Sequence, residues 1–187
     1  MNVYDFDGTI YKGDSSFDFF RFELNRNGRL LKYVPSFVSG YINYLNRKIS
    51  KEEFKECIFK YLKDIDDIDK EICEFWKNNR KKIYKWYLDK KQPDDIIVSA
   101  GPEFLLKPIC NELQIKLIAS IVDSKTGKLQ GLNNNGKEKL RRLKEECGVE
   151  HIYSFYSDSL SDSPVTEIAE HSYLIKNGRI TNWPIKQ

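Results

Sequence analysis

The segment Tyr4-Asp5-Phe6-Asp7-Gly8-Thr9 sets two carboxylates one residue apart at the end of a short apolar run. In an extended chain that spacing sends both acids to the same side. The pair is either a solvated acidic turn or an acidic site that needs a cation and a reaction. A carboxylate becomes a useful nucleophile only when a metal and basic groups hold it against an electrophilic centre such as phosphorus. Two further segments offer matching groups. Ser99-Ala100-Gly101 follows Ile96-Ile97-Val98, where a hydroxyl and the free N–H groups of a turn entering a helix suit phosphate oxygens. Gly101 admits close backbone approach, and Pro102 at a helix start forfeits no needed donor. Asp158 closes the apolar run Ile152–Ser157, and Asp162 follows in the first turn of an expected helix. For both, a plain helix N-terminal role is the competing reading. A purely oxygen donor set, without His or Cys, suits Mg²⁺.

Those groups must be positioned by the elements around them. Residues 2–6 read as a strand, and Ser15 to about Lys90 reads as helical throughout. In that stretch Phe54, Ile58, Tyr61 and Leu62 keep helical spacing, and Ser50 with Glu53 offers a capping box. Gln92–Asp95 breaks the pattern, and Asp95–Gly101 is a strand rich in β-branched residues. A helix from about Glu103 to Leu113, a strand over 116–123, and a turn-rich crossing over 126–136 that could hold a hairpin come next. A helix over 137–147 should stop at Gly148, followed by a strand over 151–158, a helix over 161–171 and a last strand near 171–178. Alternation of this kind builds a doubly wound parallel α/β sheet, and ligands there bind beyond the carboxyl ends of the strands. Asp5, Asp7, Ser99 and Asp158 all fall at such ends.

The ordered motifs DFDGT, VSAG, a lysine at a helix start (Lys137) and YSDSLSD resemble those of the haloacid dehalogenase (HAD) superfamily of phosphohydrolases. The long helical insert after the first motif resembles the subgroup containing phosphoserine phosphatase. The resemblance implies a HAD-like, Rossmann-type core from 1–14 and 91–187, with a helical cap at 15–90. It implies that Asp5 attacks the phosphoryl group, forming an aspartyl-phosphate, and that Asp7 protonates the leaving alcohol and then activates water. Mg²⁺ would be held by the side chains of Asp5 and Asp158 and the backbone carbonyl of Asp7. Ser99, Ala100, Gly101 and Lys137 would bind phosphate, although Lys139 lies close by. Asp162 would support the metal's waters or the lysine. Ser157-Asp158-Ser159 departs from the commoner Gly-Asp-Gly pattern but keeps its acid. Asp14 stands where phosphoserine phosphatases carry a glutamate that reads the substrate's amino group; it suits equally the cap of the first inserted helix.

Composition narrows the alternatives. With 31 basic and 28 acidic side chains the net charge is +3, too mild to argue for nucleic acid. The four cysteines are widely spaced and read as reduced thiols rather than disulfides or zinc ligands. The N-terminus lacks signal-peptide character, and the apolar stretch 33–45 is too short for a stable membrane span, so a cytoplasmic protein is expected. The insert holds 16 aromatic residues and a local excess of five positive charges. Most of these aromatics should form a core of their own, with Tyr41, Tyr44 or Trp86 candidates for a pocket, and Trp183 with Pro184 should anchor the C-terminal stretch. The expected activity is Mg²⁺-dependent hydrolysis of a small phosphomonoester, phosphoserine or a similar amino-alcohol phosphate first. A sugar, polyol or lipid-headgroup phosphate, phosphotransfer to another acceptor, and a catalytically silent binding protein are the rivals.

Overall fold

The computed structural model describes residues 1–184. Six strands form one sheet in the order β3-β2-β1-β4-β5-β6: β1 Asn2–Tyr4, β2 Ile96–Pro102, β3 Lys116–Ser120, β4 Ile152–Ser157, β5 Ala169–Lys176 and β6 Arg179–Asn182. All neighbours are parallel except β5 and β6. The chain winds outward from β1 in both directions, so the carboxyl ends of β1, β2 and β4 share one crevice, as the alternating pattern requires.

Alternation along β1 divides the core. Val3 joins Ile96, Val98, Ile118 and Phe155 on one face, with Leu143 of the helix α7 (Lys137–Cys147) and Val165 over them. Tyr4 points to the other face, into a larger cluster shared with the inserted helices. The in-register pairs Tyr4↔Tyr156↔Tyr173 stack their rings across three strands, with centroids 4.8 Å and 4.9 Å apart. Cross-strand aromatic pairs of this kind help fix register.

Between β1 and β2 the chain makes α1 (Ser15–Arg26), α2 (Val34–Leu45), α3 (Lys51–Phe59), α4 (Ile68–Asn79) and α5 (Lys85–Lys90), joined in part by 3₁₀ turns. Local sequence explains their starts. Asp14 caps α1 by accepting from the Phe17 N–H, Pro35 sits in the first turn of α2, and Ser50 with Glu53 completes the expected capping box on α3. The helical spacing of residues 54–62 is split: α3 ends at Phe59 and Lys60–Asp64 continues as 3₁₀ helix. The insert is tied to the core by Trp76 Nε1 donating to the Leu105 carbonyl of α6 (Glu103–Glu112) at 2.7 Å. A second tie runs from the Leu129 N–H to Glu56, next to a small hairpin bridged at Val122 and Leu129.

Three expectations need correction. Leu160–Ile168 is a 3₁₀ helix, not an α-helix; Pro164 lies within it, and serine hydroxyls bond neighbouring backbone groups there. The last strand is β6, formed because Asn177 and Gly178 both take positive φ and turn the chain back antiparallel. Asn-Gly is a strong signal for such a two-residue turn. Trp183 does pack, on Phe155 with its N–H to the Ser172 carbonyl, but Pro184 is exposed.

Candidate active site

Asp5 and Asp7 leave β1 at the crevice. Gly8 follows with φ of +70°, and an added Cβ there would stand 2.1 Å from Asp158 Oδ2, so only glycine lets the β4 loop come this close. The Asp5 carboxyl receives Lys139 Nζ at 2.7 Å, and the same ammonium reaches Asp162 Oδ2 at 2.7 Å. Asp162 also accepts from Ser157 Oγ at 2.8 Å and from the Gly136 N–H at 3.1 Å. Lys139 is 1% exposed. Burial alone would push its pKa down, but Asp5 and Asp162 overcome this and hold it above the ordinary lysine value.

Lys137, the expected phosphate-binding lysine, is exposed and takes no part in the cavity. Its side chain leaves the opening residue of α7, whereas Lys139 lies two residues on. At 3.6 residues per turn, two steps rotate a side chain by roughly 200°, to the opposite side of the helix. Lys139, not Lys137, therefore reaches the cavity, where it pairs with Asp5 and Asp162.

Asp7 accepts from the Ser15 N–H at 2.7 Å, yet burial and then the nearby Asp14 charge raise its carboxyl well above the usual range. Asp5 is raised by burial, opposed by Lys139. Asp158 is exposed as a residue, but partial burial of its carboxyl and the Asp5 charge push it up to about 7. Ser99 is buried; its Oγ accepts from the Gly101 N–H at 2.9 Å, which shapes the turn after β2. Asn134 pins that turn from below, donating to the carbonyls of Ser99 at 2.9 Å and Ile118 at 3.0 Å.

Asp5, Asp7, Asp14, Ser99, Ala100, Gly101, Asp158 and Asp162 all line one cavity of about 880 Å³ between the core loops and the insert. Asp14 does so while capping α1, the second of the roles expected for it. Sequence reading missed Lys55. This α3 lysine extends into the cavity, donating to the Ala100 carbonyl and, at 2.7 Å, to Asn133 Oδ1. Burial, with the neighbouring Lys51 charge, lowers its pKa to about 7. No motif marks it, because a single lysine on an amphipathic helix looks solvated. Of the three aromatics offered for a pocket, Tyr41 lines the cavity, Tyr44 stacks on Phe54 outside the lining, and Trp86 packs against Tyr4 and Tyr156 in the core.

Among the described residues no group of three or more His, Cys, Asp or Glu side chains is placed to hold a metal. A site here would rest on two side-chain carboxylates and a backbone carbonyl. Asp5 and Asp158 suit that demand: both line the cavity, Asp158 Oδ2 abuts Gly8, and the Asp5 charge bears on Asp158. A hard divalent cation would offset the Asp5 repulsion that adds to burial in raising Asp158.

A family model described as haloacid dehalogenase-like hydrolase matches residues 3–167. The chain belongs to that hydrolase family. Among solved structures, a Bordetella pertussis protein of unknown function aligns at a TM-score of 0.75 with 19% identity, covering 92% of this chain and 87% of its own. A phosphoserine phosphohydrolase-like protein from Francisella tularensis gives 0.57 with 20% identity, over 91% and 84%. A probable phosphoserine phosphatase from Vibrio cholerae gives 0.66 with 11% identity, over 91% of this chain and 55% of that one. At these identities the likeness establishes the fold alone. No curated protein matches the sequence. No helix of the described residues is long and apolar enough to cross a membrane.

Proposed function

We propose that the protein is a phosphomonoester hydrolase in which Asp5 is the nucleophile, Asp7 the acid and base, and Mg²⁺ the cofactor. The observation that carries this reading is the buried Asp5–Lys139–Asp162 array, with Asp7 on the same loop and held in a raised-pKa carboxyl. Lys139 aims Asp5 by holding one of its oxygens. Asp7, favouring its protonated form, suits donation to the departing alcohol oxygen, after which its carboxylate can take a proton from water. The backbone turn at Ser99–Gly101, pinned by Asn134, offers N–H groups to phosphoryl oxygens. When bound between Asp5 and Asp158, Mg²⁺ would neutralise the dianion that these carboxylates otherwise repel. The phosphoryl group would pass to Asp5 as an aspartyl-phosphate and then to water.

The domain division at residues 14 and 90 belongs to the same proposal, with α1–α5 acting as a cap over the cavity. The test is phosphate release from p-nitrophenyl phosphate and a panel of phosphomonoesters, with Mg²⁺ or EDTA, by wild type and Asp5→Asn. Mg²⁺-dependent release lost by at least about a thousandfold in Asp5→Asn is expected. Release that survives Asp5→Asn refutes the nucleophile assignment, and no release by folded wild type favours a binding role.

A further inference from the structure

The cavity is larger and more apolar on its cap side than a small polar metabolite needs. Its core side carries the charged groups described above. Its cap side is formed by Phe20, Phe37, Val38, Tyr41, Phe54 and Ile58, drawn from α1, α2 and α3. Of the charged cap-side residues, Asp14 is engaged with the Phe17 N–H, Lys55 is engaged with the Ala100 carbonyl and Asn133, and Lys51 is exposed. At about 880 Å³ the space lies near the upper end of small-molecule sites. A cavity of roughly 150 Å³ already holds benzene. An amino-acid phosphate would leave most of this wall against water.

The wall continues outward. Val38, Tyr41, Ile42 and Leu45 recur at helical spacing on α2, and each is at least half exposed, Leu45 at 60%. An apolar stripe contiguous with a site, and facing solvent, marks a surface that a ligand covers.

We infer that the alcohol half of the substrate is an extended apolar group, seated along α2 and α3 while its phosphate lies at Asp5. This rests on the phosphatase reading and names its substrate class: amphiphilic phosphomonoesters rather than phosphoserine. The cap wall supplies affinity by burying the tail, and the polar floor fixes which end reacts.

The test is a series of ethyl, butyl, octyl and dodecyl phosphates below their micelle concentrations, with 2-naphthyl phosphate and phosphoserine alongside. Each methylene that enters the cavity should raise kcat/KM by roughly three- to fourfold, so octyl phosphate should exceed butyl phosphate on the order of a hundredfold. The naphthyl ester separates a ring-shaped tail from a chain. Val38→Asp, a change at a half-exposed position, should shrink the octyl-to-butyl ratio at least tenfold. Calorimetric binding of octyl and ethyl phosphate to Asp5→Asn gives a readout independent of turnover, with tighter octyl binding and a negative heat-capacity change expected. A flat series, equal binding of the two esters, or phosphoserine as the preferred substrate overturns the inference. Tail-dependent binding without release from any ester would instead refute the phosphatase reading and leave the tail site standing.

Discussion

Beneath the cavity, charge is crowded together by Asp5 and Asp158 at the ends of β1 and β4, Asp162 in the 3₁₀ helix that follows, and Lys139 on α7. Above it, Phe20, Phe37, Val38 and Phe54 present hydrocarbon from three helices. On the core side position is set by charge-assisted bonds of 2.7–2.8 Å and by glycines that allow close approach. On the cap side position is set by ring packing, as in the Phe19–Tyr61–Phe20–Phe37 contacts, which tolerate small shifts. A site that moves a phosphoryl group needs fixed dipoles at fixed places. A surface that only buries a leaving group needs area and shape. On the proposed reading the chain separates the two demands: the strand ends carry the chemistry, and the insert between β1 and β2 the selection.

The sharpest way to break that contrast is to remove the Lys139 cation from the floor. Lys139→Met leaves the buried Asp5 and Asp162 without their shared cation, and breaking a buried pair from one side costs about 3–5 kcal/mol. Urea denaturation should show a loss of that order, together with collapse of phosphatase activity. Lys137→Met, an exposed change two residues away, should alter stability by less than about 0.5 kcal/mol. If the two variants behave alike, the ion-pair account of the floor is wrong.

That pair of lysines also shows how far the sequence could be read. Asp5, Asp7, Ser99 and Asp158 were legible because each follows an apolar run that has to be a strand or its exit, and strand ends in a doubly wound sheet converge; Asp162 was legible only through the ordered motif that holds it. The lysine was misplaced by two residues because both candidates begin the same helix, and only the rotation about its axis separates them. Lys55 carried no local signal; its approach to Ala100 depends on how α3 settles over β2, a tertiary fact. β6 was readable from Asn177-Gly178 but stands at a sheet edge, where its four exposed residues have no hydrophobic alternation to announce it. The cap's aromatic excess pointed to a core of its own, whereas its rings join Tyr4, Ile97 and Leu105 in one shared cluster, and the excess said nothing about which rings would be left facing a cavity.

A smaller effect is expected from the packing side. Phe75 is fully buried in α4, with ring contacts to Phe19 at 5.4 Å, Phe22 at 5.8 Å and Trp76 at 4.9 Å. Phe75→Leu keeps an apolar group but loses the edge-to-face contacts, each worth about 0.5–1.5 kcal/mol. Thermal or urea unfolding should register a loss of about 1–2 kcal/mol, while turnover of a short phosphomonoester falls by less than threefold. A catalytic loss as deep as that of Lys139→Met would show that cap packing, and not the floor alone, sets the geometry of the reacting groups.

A pH-dependent effect is expected from a carboxyl that the cap buries. Glu23, on α1, is 4% exposed; burial first, and then the neighbouring Glu71, push its carboxyl up to about 7, only partly offset by Arg26. Tyr61 also faces it from the 3₁₀ turn after α3. Because the folded state holds this proton more tightly than the unfolded chain, the group's stabilising contribution is complete below about 4.5. It is lost as pH rises through about 7. Glu23→Gln keeps the shape and removes the titration. Urea midpoints of wild type and variant should therefore be close at pH 4.5, with the variant higher by pH 8, and the gap should open between those values. A gap that is constant across the range would mean that Glu23 is already ionised in the folded cap, and that the insert tolerates charge as readily as the floor does.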